Sequence, residues 1–245
     1  SSHQVKVKVM DASELYDPEF RELIKSKKPK PTVIIPVGSL EQHGAHLPVS
    51  TDSDIVTEIA SRLGKKCGFI VFPTVSYGVS FEHNPLFNIS IQSRNLRGFL
   101  GDIFQSLNLN YEIIFLNGHH GNVESLNKLR NTMNREYVRP GSVLVRCYSY
   151  WHFMEHEFDH AGFVETSIML AISDKVKMKK AKKGLITKDL SKEEIQRINK
   201  LSTEQGGFPK VAKNGVWGDP TGATKKDGEK FLAEIVRNLA KECQS

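Results

Sequence analysis

Three carboxylates and two or three imidazoles define the chemistry open to this chain. Glu41 and His43 lie two residues apart just beyond an apolar run, so in extended backbone both face one side, as two ligands of a metal cluster would. Asp52 follows nine residues after His43, at the start of an amphipathic stretch. Its carboxylate either caps that helix or projects back over the strand ends and bridges two cations. His119 sits in the segment NGHHGN, where glycines let the backbone bend close to a ligand; a packing histidine is the plainer alternative. Glu165 falls in the first turn of a helix marked as buried by Val164, Ile168, Met169 and Leu170, which favours an inward carboxylate over a solvated one. Carboxylate and imidazole without cysteine suit zinc, manganese or iron(II) rather than a structural thiolate zinc. Two such metals about 3.5–4 Å apart need a bridging carboxylate and generate a hydroxide near neutral pH.

The elements that must position these groups alternate. Thr32 to Val37 reads as a buried strand, Ser53 to Leu63 as a helix bracketed by Gly64 and Gly68, and Phe69 to Phe72 as a second strand. Ser93 to Leu107 is helical, Glu112 to Leu116 is a third strand running into Asn117, and Val123 to Tyr137 is a helix. A fourth strand spans Ser142 to Cys147, and helices follow at Glu165 to Ile172 and Ala223 to Lys241. Ser191 to Ser202 reads as a further polar helix or part of a lid. This alternation predicts a parallel sheet covered on both faces, with the strands' C-terminal ends and the ligand site along one edge. No internal repeat or linker divides residues 1–245, which predicts one domain.

Eight of the nine histidines lie between His43 and His160, and none follows. Generic packing would spread them more evenly, so the crowding itself points to a metal or acid–base site. The chain has 245 residues with 39% hydrophobic and 25% charged side chains, which excludes fibrous and disordered classes. No stretch approaches the roughly 18 apolar residues of a membrane span. The opening SSHQVKVKV lacks the apolar core of a signal peptide, and a soluble, cytoplasmic protein is expected. Cys67, Cys147 and Cys243 are scattered and odd in number, so packing roles in a reducing compartment are expected rather than disulfides. The formal net charge is +6, and six lysines (Lys175, Lys177, Lys179, Lys180, Lys182 and Lys183) crowd nine positions. With no interleaved aromatics, that run reads as a solvated surface rather than a grip on nucleic acid or another anion.

Three segments together carry a resemblance: PVGSLEQHGAHLP with Asp52 following, NGHHGN, and DHAGFVETS. They look like the three signature blocks of the creatininase (creatinine amidohydrolase) family, and the stretches Tyr77 to His83 and Gly215 to Pro220 also resemble it. The resemblance runs from about Val33 to Leu239. It implies a three-layer α/β/α sandwich around a mostly parallel sheet, often assembled as a homo-oligomeric hexamer. It also implies two divalent metal ions (zinc, manganese or iron) per chain and hydrolysis of a non-peptide amide in a small molecule. By position, Glu41, Asp52 and His119 would hold one metal, and His43 with Asp52 the other, Asp52 bridging. His160 matches the catalytic histidine, and Asp159 stands where creatininase proper has glutamate. The expected reaction is attack by a metal-bridging hydroxide, with His160, assisted by Asp159, passing a proton to the leaving nitrogen. Ser80 and His120 are candidate substrate contacts.

The departures bear on the substrate. Creatininase proper has tyrosine and then a metal-binding glutamate where this chain has His120 and Gly121, and Glu165 is the nearest replacement. The tryptophan that closes over creatinine is unmatched: Trp151 lies earlier and His156 takes roughly its place. Many relatives read FPGT where this chain has Leu86 to Ile89. Deformylation of a formamidopyrimidine ribonucleotide in flavin or deazaflavin synthesis is the alternative within the family, and its phosphate would suit the positive charge. Peptidase and lactonase branches also exist. From another class, the alternatives are a basic nucleic-acid-binding protein with a remnant metal fold, resting on the lysine run alone, or a purely structural family member, against which the complete ligand set argues.

Overall fold

The computed structural model describes residues 10–25, 30–107, 109–137 and 144–244. The opening segment through residue 9, read above for a leader, and the first two residues of the expected fourth strand, 142 and 143, lie outside the described residues. Five parallel strands form one sheet: β1 (Met10–Asp11), β2 (Thr32–Val37), β3 (Ile70–Val71), β4 (Glu112–Asn117) and β5 (Val145–Ser149). Their spatial order is β1-β3-β2-β4-β5. From β2 the chain moves outward to β3, then crosses back to pair β4 against β2's other edge, so Val37 lies beside Asn117. The loops leaving β2 and β4 therefore part where the strand order reverses, the usual crevice for a ligand in an open α/β sheet.

Period-two alternation on the central strands divides the core. Val33, Ile35, Val37, Ile113 and Phe115 point to one face, where α3 (Ser93–Ser106) and α4 (Val123–Tyr137) cover them with Leu96, Leu100, Phe104, Leu126 and Leu129. Ile34, Ile114 and Leu116 point to the other, against α2 (Thr51–Cys67), α5 (Phe163–Ile172) and α8 (Lys225–Gln244). These are the three layers of an α/β/α sandwich. Each fully buried leucine or isoleucine contributes about 1.5–3 kcal/mol, so both faces are firmly held. Short helices α1 (Asp17–Lys25), α6 (Lys192–Ser202) and α7 (Phe208–Val211) complete the set. Ser191 caps α6 with a reciprocal bond to Glu194, which settles that stretch as a helix.

α2 runs past Gly64 and ends at Gly68, whose φ of 74° is the left-handed turn that closes a helix. Gly64 serves packing instead: a Cβ there would meet Val71 Cγ2 at 2.5 Å, so only glycine lets α2 lie this close to β3. All three cysteines are free and half-buried. Among the described residues no helix is long and apolar enough to cross a membrane.

Candidate metal centre

The three loops that follow β2, β3 and β4 are knitted by a single side chain. Asn122 is buried; its amide donates to the Gly38 carbonyl at 2.9 Å and its Oδ1 accepts from Val79 N at 3.0 Å. Asn117 Oδ1 accepts from His119 N at 3.0 Å, fixing where β4 releases that histidine. On the other flank, buried His46 and Thr166 meet at 2.9 Å between Nε2 and Oγ1, tying the loop after β2 to α5. Loops with their polar groups satisfied in this way hold side chains at fixed separations.

Two side-chain groups sharing Asp52 lie at this edge, each with ligand atoms all within 4.8 Å of one another: Glu41, Asp52 and His119, and His43, Asp52 and Glu165. Asp52 is the second residue of α2, and its side chain does not cap the helix. Its Oδ1 stands 3.0 Å from His43 Nε2 and its Oδ2 3.1 Å from His119 Nδ1, one oxygen toward each group. Both imidazoles are orientated from behind. His43 Nδ1 donates to the Glu41 carbonyl at 3.1 Å, and His119 Nε2 donates to the Val79 carbonyl at 2.8 Å. A carbonyl can only accept, so the outer nitrogen carries the proton and the inner lone pair is free to ligate. Glu41 Oε2 accepts from Ser39 and Glu165 Oε2 from the Ala161 amide at 2.6 Å. That leaves Glu41 Oε1, Asp52 Oδ2 and Glu165 Oε1 buried with no hydrogen-bond partner. Orphaned polar oxygens cost about 1–3 kcal/mol each, and a cation is what would satisfy three of them together. The donor set fits one or two divalent ions of the zinc, manganese or iron(II) kind.

The electrostatics agree. Burial alone would depress His43, but Asp52 and Glu165 outweigh it and hold its pKa at about 10. Burial pushes Glu165 up to about 8 against the pull of His43, with Asp52 and Asp159 adding to the rise. His119 is raised despite burial by Glu41 and by hydrogen bonds, and Glu41 is lowered despite burial by His119 and His83. Carboxylates packed this closely need positive charge between them, as protons or as cations.

His160 stacks on His43 at 4.2 Å and on His83 at 4.8 Å between ring centroids, and joins Glu41 and His43 in a third ligand-sized group. Burial, then His43 and His83, drive its pKa well below the ordinary value, so the imidazole is neutral. Its Nε2 faces both the Gln42 carbonyl at 3.1 Å and the Gln42 side-chain amide at 3.2 Å. Asp159 is directed elsewhere. Its carboxylate accepts from the amides of Val164 at 2.9 Å and Glu165 at 3.4 Å, anchoring the start of α5, and burial lifts it to about 6 against those amides. Among the described residues no hydrogen bond or ion pair joins it to the His160 ring.

Ser80 is buried and its Oγ lacks a partner, whereas His120 is exposed and stacks on Trp151. His156 is exposed, its ring against Phe163 and Phe231. The divergent Leu86 to Ile89 segment zips onto the ligand loop, with Gln42 N donating to Phe87 O at 2.7 Å and Ile89 N to Leu40 O at 2.9 Å. All six lysines of the 175–183 run are exposed, and none forms an ion pair among the described residues. Sequence reasoning missed Gln42, Glu82 and His83. Buried His83 has Nε2 3.2 Å from Glu41 Oε1; the crowding of histidines and the family resemblance of Tyr77 to His83 were its advance signals.

One backbone position is unusual. Ala161, fully buried between His160 and α5, has φ 53°, in the left-handed region that favours glycine. Ala161→Gly is expected to change stability by less than about 1 kcal/mol. Relief of about 1–2 kcal/mol of strain is offset by the lost methyl burial and the greater entropy of unfolded glycine. Ala161→Val should cost more than about 2 kcal/mol, since a β-branched side chain tolerates this conformation least. Urea midpoints measure both; a valine variant as stable as wild type contradicts the assignment.

Comparison with known proteins gives a consistent answer. The family profile described as Creatininase: Creatinine amidohydrolase matches residues 13–243. A mycofactocin precursor peptide peptidase of Mycobacterium ulcerans is 33% identical over 221 residues, covering 84% of this chain and 82% of that protein. A 2-amino-5-formylamino-6-ribosylaminopyrimidin-4(3H)-one 5'-monophosphate deformylase of Methanosphaera stadtmanae is 27% identical over 195 residues, covering 71% of this chain and 78% of that protein. The solved structure titled Creatininase Mn superposes with a TM-score of 0.75 at 22% identity, covering 96% of this chain and 97% of that one, and so shares the fold. The chain belongs to the creatininase family and is a hydrolase of carbon–nitrogen bonds.

Proposed function

We propose that this chain is a metal-dependent amidohydrolase with a dinuclear centre, in which Glu41, Asp52 and His119 hold one divalent ion and His43, Asp52 and Glu165 the other. The observation that carries this reading is the pair of buried ligand groups sharing Asp52, with three carboxylate oxygens that accept no hydrogen bond. When bound, the ions supply Lewis acidity and an activated water for attack on an amide carbonyl. His160 carries the proton to the leaving nitrogen, and Gln42 serves both states of its Nε2: the carbonyl accepts when that nitrogen is protonated and the side-chain amide donates when it is bare. Asp159 acts by anchoring the turn that carries His160. Ser80, buried with an unpartnered hydroxyl, and His120 contact the substrate. The favoured substrate is a small-molecule amide. A second reading, an amide within a peptide-derived substrate, is supported by the 33% identity to the mycobacterial peptidase.

Plasma mass spectrometry on protein purified without chelator or oxygen tests the centre. Near two ions per chain is expected, and fewer than one after adding manganese, zinc and iron would sink the mechanism. Release of creatine, of formate or of a peptide fragment from the matching substrates then separates the readings.

A further inference from the structure

The family resemblance leaves a gap at Gly121, where creatininase proper carries a glutamate, and the geometry shows what fills it. A Cβ at Gly121 would lie 2.0 Å from the Val79 carbonyl, 2.5 Å from His119 Nε2 and 2.8 Å from Glu82 Oε1. No side chain fits: the Val79 carbonyl and the His119 ring close the position, and a carboxylate from a different loop stands beside them. Glu82 belongs to the 3-10 turn Phe81–His83, and its Oε1 is 3.3 Å from His119 Nε2, on the side of the ring opposite the nitrogen that faces Glu41 and Asp52.

We propose that Glu82 is a positioning residue for His119, a carboxylate set behind a metal-ligating imidazole in the room that Gly121 leaves open. The inference rests on the dinuclear reading above. His119 Nε2–H donates to the Val79 carbonyl at 2.8 Å and meets the Glu82 carboxylate on the same edge. A carbonyl fixes ring direction; a carboxylate also makes the far nitrogen a stronger donor to a cation. Glu82 thus returns a negative charge to this ligand from behind, although position 121 supplies none.

Another role for the same residues is a third cation held by Glu41, Glu82 and His83, whose ligand atoms also lie within 4.8 Å of one another. The hydrogen bonds of Gln42 argue against it. Gln42 Oε1 accepts from Gly44 N at 2.9 Å, which orients the amide so that its Nε2 donates to His83 Nδ1 at 3.0 Å. His83 then carries its proton on Nε2, the nitrogen nearest Glu41 and Glu82, and has no lone pair there for an ion.

The test is manganese binding by metal-stripped protein, followed by calorimetry and by the electron paramagnetic signal of free manganese. Wild type should take up two ions. Glu82→Gln, which keeps the shape and removes the charge, should weaken one of them about 10- to 100-fold and leave the other within about threefold, with the metal-free melting temperature unchanged. Gly121→Ala should weaken the same ion further, because its methyl displaces the Val79 carbonyl, the His119 ring and Glu82 together. Glu82→Gln protein that binds both ions as wild type does overturns the inference and leaves the dinuclear centre standing. If wild type binds a single ion, the dinuclear reading falls alone; Glu82→Gln must then still weaken that ion, or the inference falls too. A third ion, lost on Glu82→Gln, also overturns it.

Discussion

Asp52→Asn should bind neither ion tightly and should lose at least about 1,000-fold in turnover, the largest effect of any single substitution in this protein. The reason is geometric. One oxygen stands 3.0 Å from His43 and the other 3.1 Å from His119, so one carboxylate serves both ligand groups. Asparagine keeps the shape but replaces one oxygen with an amide that cannot ligate and removes the charge that two cations share. Losing one electrostatic stabiliser of a transition state costs about 10²–10³ in rate, and here two go together. Stability of the metal-free chain should move little. There Asp52 repels Glu165 but also pairs with His43, whose pKa it raises, so Asp52→Asn loses one interaction as it relieves the other, and its melting temperature should stay within a few degrees of metal-free wild type. Manganese at 100 times its Kd should then stabilise wild type by about 2.7 kcal/mol per site, roughly 5–10 °C for a chain of this size, and the variant hardly at all. Scanning calorimetry with and without metal reads both. A variant stabilised by metal as much as wild type would show that Asp52 is not the bridge.

How much of this was legible beforehand follows from the range of the interactions. The central strands and long helices were readable because their apolar periods are local: Val33 to Val37 alternate between two cores, and Leu96, Leu100 and Phe104 recur at helical spacing. Misplaced ends trace to single residues. Gly64 looks like a stop, yet the helix continues, since its missing side chain is used against Val71 and the left-handed turn comes only at Gly68. β1 and α1 escaped notice because a two-residue strand has no period and α1 buries no residue. At the site, Glu41, His43, Asp52, His119 and Glu165 could be nominated from short spacings next to strand ends and helix starts. Glu82 and His83 stood in a stretch that resembles the family, yet no local spacing tied them to the ligands, because their turn reaches His119 through contacts such as Val79 with Asn122, 43 residues apart. Adjacency misled in the opposite sense at Asp159. It neighbours His160 in sequence, but the helix amides behind it at Val164 and Glu165 take its carboxylate.

His160→Ala should lower kcat by about 10²–10⁴ while leaving two ions bound and KM within a few-fold of wild type, the split expected when a proton carrier is lost and the ligands are kept. His160 lies outside both groups that share Asp52, so metal content should not depend on it. Its ring is nevertheless held closely, 4.2 Å from His43 and 4.8 Å from Phe208 between centroids, and its backbone pairs with Trp217 at 3.0 and 2.8 Å. That clamping separates a chemical role from a packing role. If His160 only fills space, His160→Phe should preserve turnover and His160→Ala should lose mainly stability. If it carries protons, phenylalanine is as inactive as alanine, and imidazole added at millimolar concentration, small enough to enter the space that alanine leaves, restores part of kcat to the alanine variant alone. Turnover within a few-fold of wild type in His160→Ala would assign proton transfer elsewhere. The next group to examine would then be His83, which stacks on His160 and shares the Gln42 amide with it.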